Sequence, residues 1–355
     1  MKSDRGMHSS AIACWMLLLG VLIVPQALKA QQTWQAIMGA QSKDMARQAM
    51  AFLPNELWVH EGDSITWTSR TNEGHTVSFL KQVTSGPSTG ASAAGTSRPS
   101  FQAGCTGGAQ GGASVTTLSG SNFNGTPCVN SGPFAGGANY TVRFPTAGNY
   151  KLVCLIHRDM TGVVHVLDLL QPLPHEQWFY DIQAAEQARE IVWDDDRRWG
   201  KEERVEHSRH FSRNTVITTG ELVATGGGKS YLAIMRFLPD TIRVHVGETV
   251  EWTNFDPTEP HTITFGTEPV PPTTLVGLNA TPDPDGARHG TLPNATPDTL
   301  SLNSGFIVAA LQDQTNQTAL GVTRVRVTFA HPGRYDYICA LHDELGMKGK
   351  VIVVP

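Results

Sequence analysis

The chain is 355 residues long, 40% hydrophobic and 17% charged, enough length and apolar content for two packed domains and too much for a disordered chain. Its formal charge is -5, and setting aside residues 1–30, with Lys2, Arg5 and Lys29 against Asp4, makes it -7. That mildly acidic balance argues against nucleic acid as a partner.

Residues 1–30 place Lys2 and Arg5 ahead of the apolar run Trp15–Val24 and close on small residues at Ala30. This order predicts a secretory signal peptide cleaved after Ala30, and the run is too short to span a bilayer comfortably. The mature chain is therefore expected to be periplasmic or secreted, with no transmembrane segment after signal cleavage. Export permits disulfides. Cys14 leaves with the leader; Cys105 and Cys128 share one Gly/Ser-rich insertion and are expected to pair, while Cys154 and Cys339 each sit in a C-x-x-H motif. A Cys154–Cys339 disulfide is the competing arrangement.

Beyond the leader the chain repeats itself. Phe52–Trp67 recurs as Phe237–Trp252 at an offset of 185, His75–Phe79 as His261–Phe265 at 186, and Tyr150–His157 as Tyr335–His342 at 185. One domain has been used twice. Each copy alternates apolar and polar residues in short runs broken by Gly and Pro, the signature of antiparallel strands in a β-sandwich. Trp67 and Trp252 read as core fillers. His60 and His245 also recur, and mid-strand they read as outward-facing residues. Long turn-rich insertions, 81–139 and 266–320, separate the first histidine of each copy from its cysteine strand, with no role assigned by sequence.

Between the copies, Trp178, Ile182, Ala185 and Val192 follow Pro174 at helical spacing, with charge on the opposite face. The spacing predicts an amphipathic helix docked on one or both sandwiches. The expected division is a signal peptide at 1–30, a first domain at 31–170, a helical connector at 171–215 and a second domain at 216–355.

The second copy carries Cys339, His342 and Met347 on a short loop between two predicted strands, with His261 upstream. The first copy offers His75, Cys154, His157 and Met160 in the same order. One thiolate, two imidazoles and a weak thioether form the ligand set of a blue-copper centre. Residue for residue, the C-x-x-H-x-x-x-x-M loop and upstream histidine resemble the plastocyanin/azurin (cupredoxin) family. The shorter spacing from His157 to Met160 is similar to that of amicyanin, another member.

The resemblance implies an all-β fold of two tandem Greek-key β-sandwiches joined by a helical connector. It also implies two copper ions per chain, one per domain, and a redox partner protein. The expected function is an exported type 1 copper protein that carries electrons by cycling Cu(I)/Cu(II), more an electron carrier than an enzyme. A two-domain multicopper oxidoreductase, of nitrite reductase or small laccase type, would need a histidine directly beside the ligating cysteine. Val153 and Leu155 flank Cys154, and Ile338 and Ala340 flank Cys339, so that bridge is lacking. Copper buffering or delivery would use the same ligands. Ahead of the first histidine, copy two reads Asn254-Phe-Asp256 where copy one, a residue shorter, reads Ser69-Arg-Thr-Asn72, so the hydrogen bonds that hold His75 are expected to differ.

Overall fold

The computed structural model describes residues 31–80, 116–126, 128–157, 159–192, 214–225, 227–291, 294–309 and 322–355. The expected signal peptide, Cys105 and the end of the connector lie outside the described residues. Among the described residues the first copy builds ten strands. They are β1 (Thr33–Gln41), β2 (Arg47–Leu53), β3 (Glu56–His60), β4 (Ser64–Ser69), β5 (Ser78–Phe79), β6 (Ser121–Asn122), β7 (Val129–Asn130), β8 (Asn139–Arg143), β9 (Gly148–Val153) and β10 (Thr161–Leu167). One helix, α1 (Gln177–Val192), follows.

The second copy builds the same ten in the same order. They are β11 (Thr215–Thr225), β12 (Gly228–Leu238), β13 (Thr241–His245), β14 (Thr249–Phe255), β15 (Thr264–Phe265), β16 (Ala287–Thr291), β17 (Leu302–Asn303), β18 (Arg324–Thr328), β19 (Gly333–Ile338) and β20 (Lys348–Val354). The long insertions are thus not wholly irregular: the second contributes β16 and β17.

Period-two burial shows how these strands were chosen. In β4 every second residue is buried, Ile65 and Trp67 inward and Thr66 outward, and β18 does the same with Val325 and Val327. Trp67 and Trp252 are both fully buried, as expected of core fillers. Each copy has its own five-stranded outer sheet, ordered β3-β10-β9-β5-β7 and β13-β20-β19-β15-β17.

The two inner sheets, however, are one. A ten-stranded sheet runs β16-β18-β14-β11-β12-β2-β1-β4-β8-β6 through both copies. The junction is an antiparallel pairing of β2 with β12, Tyr231 opposite Met50 and Ile234 opposite Arg47. These are equivalent strands of the repeat, so pairing them antiparallel creates a local pseudo-twofold axis. The Met235 N–H donates to the Ala46 carbonyl at 2.8 Å, the counterpart of the pairing at Tyr231. Pairing also removes two exposed sheet edges. Two sandwiches sharing one sheet, rather than two hung on a tether, is the architecture.

Helix α1 covers the outer face of this junction. Its Ala184, Ile191 and Val192 pack with Ala49, Ala51 and Leu53 of β2 and Leu232 and Ile234 of β12. The sequence reading of its apolar face needs correction. Trp178 and Ile182 are 61% and 51% exposed, and the buried positions are Tyr180, Ala184, Gln187, Ile191 and Val192. The inward arc is Tyr180, Ala184, Gln187 and Ile191, spaced at i, i+4, i+7 and i+11, and Trp178 and Ile182 lie on the opposite side of the helix. His60 is a second correction: it is buried, its Nε2 2.8 Å from the Gln171 carbonyl, whereas His245 is exposed.

Candidate metal centres

His75 follows β4 and precedes β5, and its N–H donates to the Phe134 carbonyl at 3.1 Å. Cys154 directly follows β9, and the turn after it returns through His157 to Met160, whose carbonyl accepts the Cys154 N–H at 3.0 Å. The second copy repeats this arrangement. The His261 N–H donates to Ile307 and the Cys339 N–H to Met347, at 3.1 Å each. The residue before each methionine has positive φ. It is Gly346 (φ 86) in the second loop and Asp159 (φ 62) in the first, aspartate being among the few side chains that tolerate this region.

The predicted donors converge. Nδ1 of His75 lies 2.8 Å from Nδ1 of His157, which is 3.6 Å from Cys154 Sγ. In the second copy the separations are 3.2 Å between the Nδ1 atoms of His261 and His342, and 3.8 and 3.4 Å from these to Cys339 Sγ. Such spacings are the edges of a triangle into which a first-row metal ion with bonds of about 2.0–2.3 Å fits. All six residues are at most 4% exposed, and Met160 and Met347 are fully buried. Cys154 and Cys339 are free thiols, so the competing disulfide between them is absent. Cys128 is disulfide-bonded.

Electrostatics favour a thiolate at both places. Burial alone would push each thiol up, but His157 beside Cys154, and His342 beside Cys339, outweigh it and hold each thiol well below its usual value. Backbone N–H groups also point at the sulfurs. Thr76 and His157 each donate to Cys154 Sγ at 3.4 Å, and Thr262 donates to Cys339 Sγ at 3.3 Å.

Several residues that serve these centres were missed in the sequence. Thr76 and Thr262 follow the first histidine of each copy, and their hydroxyls accept the N–H after the cysteine, from Leu155 at 2.8 Å and Ala340 at 2.7 Å. The repeated His-Thr pair was the available signal. The departure ahead of the first histidine is resolved by different groups at equivalent places. Asp256 Oδ1 accepts the Glu259 N–H at 2.8 Å, while in copy one the Thr71 hydroxyl accepts the Glu73 N–H at 3.0 Å.

Glu73 and Glu259 are the largest surprise. They sit two residues before the first histidines, at the same offset of 186, and they meet between the two centres. His157 Nε2 is 3.4 Å from Glu73 and 3.7 Å from Glu259; His342 Nε2 is 3.9 Å from Glu73 and 3.5 Å from Glu259. The two C-x-x-H loops therefore face each other across the pseudo-twofold axis. Burial opposes the charge of Glu259, but His157 and His342 hold its pKa down at about 2. Tyr231 of β12 donates its hydroxyl to Glu259 at 2.9 Å.

No helix among the described residues is long and apolar enough to cross a membrane. No curated protein matches the chain. Solved structures similar in fold include a mutant plastocyanin of a fern, 20% identical over 39% of this chain and 99% of that one, with a TM-score of 0.23. A reduced Cu(I) form of an amicyanin variant is 21% identical over 38% of this chain and 82% of that one, TM-score 0.22. A purple cupredoxin from Nitrosopumilus maritimus is 22% identical over 39% and 98%, TM-score 0.21. The family model of copper-binding proteins of the plastocyanin/azurin family matches residues 40–167 and again residues 223–354, and the chain therefore belongs to that family, once in each copy.

Proposed function

We propose that this chain is an exported electron carrier with two type 1 copper centres, one held by His75, Cys154, His157 and Met160, the other by His261, Cys339, His342 and Met347. What carries the reading is the convergence of two Nδ1 atoms and one Sγ at each of two buried places. When bound, copper supplies a one-electron Cu(II)/Cu(I) couple.

The chain's part is to hold the donors where both oxidation states are accommodated. The upstream histidine of each copy is fixed by a backbone bridge, His75 to Phe134 and His261 to Ile307, and each cysteine by the carbonyl of its methionine and the hydroxyl-braced turn behind it. Donors locked by packing need not rearrange when charge changes, which suits transfer without chemistry. Neither cysteine has a histidine beside it, so electrons have no route along that strand to a second type of centre, and no substrate turnover is called for.

Signal cleavage after Ala30, a Cys105–Cys128 disulfide and a protein redox partner belong to the same reading. The domains expected from sequence, 31–170 and 216–355 with a helical connector at 171–215, belong to the same reading.

Copper analysis, visible absorption and reductive titration of the mature chain test it. Two coppers, an intense blue thiolate-to-copper band and uptake of two electrons per chain are expected. A chain that turns over nitrite or phenols would instead be a multicopper oxidoreductase. One that holds Cu(I) but exchanges no electrons would be a buffer or delivery protein.

A further inference from the structure

Glu73 and Glu259 have no task in the reading above, yet their placement is regular. Each carboxylate gives one oxygen to each loop histidine. Glu73 Oε1 faces His157 Nε2 at 3.4 Å and its Oε2 faces His342 Nε2 at 3.9 Å; Glu259 Oε2 faces His157 Nε2 at 3.7 Å and its Oε1 faces His342 Nε2 at 3.5 Å. Neither glutamate therefore serves the histidine of its own copy alone.

Both edges of each imidazole are in use. Nδ1 of His157 and Nδ1 of His342 stand 3.6 and 3.4 Å from the sulfur of their own cysteine, on the side of the metal. With Nδ1 given to a metal ion, the ring proton stays on Nε2 and is aimed at the carboxylates. The two histidines are 2% exposed and the glutamate side chains 13% and 4%, so solvent screens these contacts little. Glu259 is itself held, by the Tyr231 hydroxyl at 2.9 Å. A carboxylate on the far nitrogen of a ligating imidazole orients the ring and makes it a more basic donor, which favours the more positive metal.

We propose that Glu73 and Glu259 are positioning residues shared by the two centres, each acting on His157 and on His342, so that the reduction potential of either centre is set in part by a residue of the other copy. The inference rests on the two-copper reading. It also gives the fused inner sheet a consequence for function, since the pairing of β2 with β12 joins the copies whose loops meet these carboxylates.

The test crosses the copies, in the full mature chain loaded with copper. Cys154→Ser leaves copper in the second centre only, and Cys339→Ser in the first only. Adding Glu73→Gln to the former and Glu259→Gln to the latter removes, in each case, the carboxylate of the copy that holds no copper. Each crossed variant should keep its one copper and its blue band while Cu(II) affinity falls about tenfold relative to Cu(I), an upward shift of about 59 mV for a one-electron couple by voltammetry. Glu73→Asp, which keeps the charge, should recover part of the shift. In the chain with two Cu(I), nitrogen-15 NMR should show two slowly exchanging Nε2–H signals, both displaced by Glu73→Gln. Potentials unmoved in the crossed variants, equal shifts with Asp and Gln, or displacement of the His157 signal alone would overturn the sharing. Chains that bind no copper would instead sink the reading beneath it. Glu73, the less buried of the pair, decides the matter even if the Glu259 variant does not fold.

Discussion

The two candidate metal loops are copies of one repeated unit, yet they anchor to their surroundings by different means. In the second, the residues between His342 and Met347 wind a 3-10 turn over Asp343–Leu345, long enough to carry Leu345 across the junction into the core of the first copy. Arg236 of β12 then donates to the Leu345 carbonyl at 2.8 Å and to the Asp44 carbonyl at 2.6 Å. The first loop is shorter; beyond His157 facing Glu259, it reaches across by Asp159, paired at 3.1 Å with an exposed Lys229. What the difference teaches is that duplication conserves the donors while the structure around them is free to diverge, so the two sites hold the same set with unequal grip.

Removing each anchor should expose that inequality. Leu345→Ala deletes a buried side chain at the junction and is expected to cost about 2–4 kcal/mol. Asp159→Asn breaks the exposed ion pair while keeping a side chain that tolerates positive φ, and should cost under about 0.5 kcal/mol. Chemical denaturation of the two variants compares them, and equal losses would mean that Leu345 is not an anchor.

A second contrast lies ahead of the first histidines, where Asp256 in one copy answers Thr71 in the other. Burial pushes the Asp256 carboxyl up to about 6. Because the folded value lies above the unfolded one, the contribution is present at low pH and is lost as pH rises through about 6. Stability should therefore fall by about 2 kcal/mol between about pH 4.5 and pH 7 from this group alone. Asp256→Asn should flatten that slope, whereas Thr71→Ser, which keeps the hydroxyl, should not; a slope unchanged in Asp256→Asn would assign it elsewhere.

How much of this was legible in the sequence follows from the range of each interaction. The candidate donors were readable because C-x-x-H is local and because it recurs at 185, with His75 and His261 at 186. The fusion of the inner sheets was not, since β2 and β12 announce themselves as strands but nothing in an alternating pattern says which edge will pair with which. Glu73 and Glu259 repeat as faithfully as the histidines. They look like ordinary loop acids until the junction brings them together. The helix was visible and its face was not, because Tyr180, Ala184 and Gln187 are buried by their place over the junction, whereas hydrophobic spacing alone ranks Trp178 and Ile182 above Ala184 and Gln187.

The residues before the methionines give a third comparison. Gly346→Ala meets both a left-handed backbone and the Arg236 guanidinium 3.3 Å from the new Cβ, and should cost about 1–2 kcal/mol. Asp159→Gly relaxes the same backbone position and should be neutral or slightly stabilising. Thermal melts of the two variants moving in the same direction would contradict the assignment.

The smallest expected effect is on potential. Cys154 Sγ accepts two backbone N–H groups and Cys339 Sγ one among the described residues, and each donor withdraws electron density from the sulfur and disfavours the oxidised metal. The first centre should therefore have the higher reduction potential. Voltammetry on Cys339→Ser and Cys154→Ser, each retaining one centre, reads the two separately, and coincident or inverted values would show that sulfur hydrogen bonding is not the controlling difference.

Copper content and blue absorbance of those same two variants, beside the unaltered chain, test most directly that each copy holds its own metal. Two coppers per chain in the parent, with one copper and about half of the blue band in each variant, is the result required, since a hydroxyl is a poor substitute for a thiolate. Loss of all copper and colour from either single change, or no loss from one of them, would contradict two independent centres.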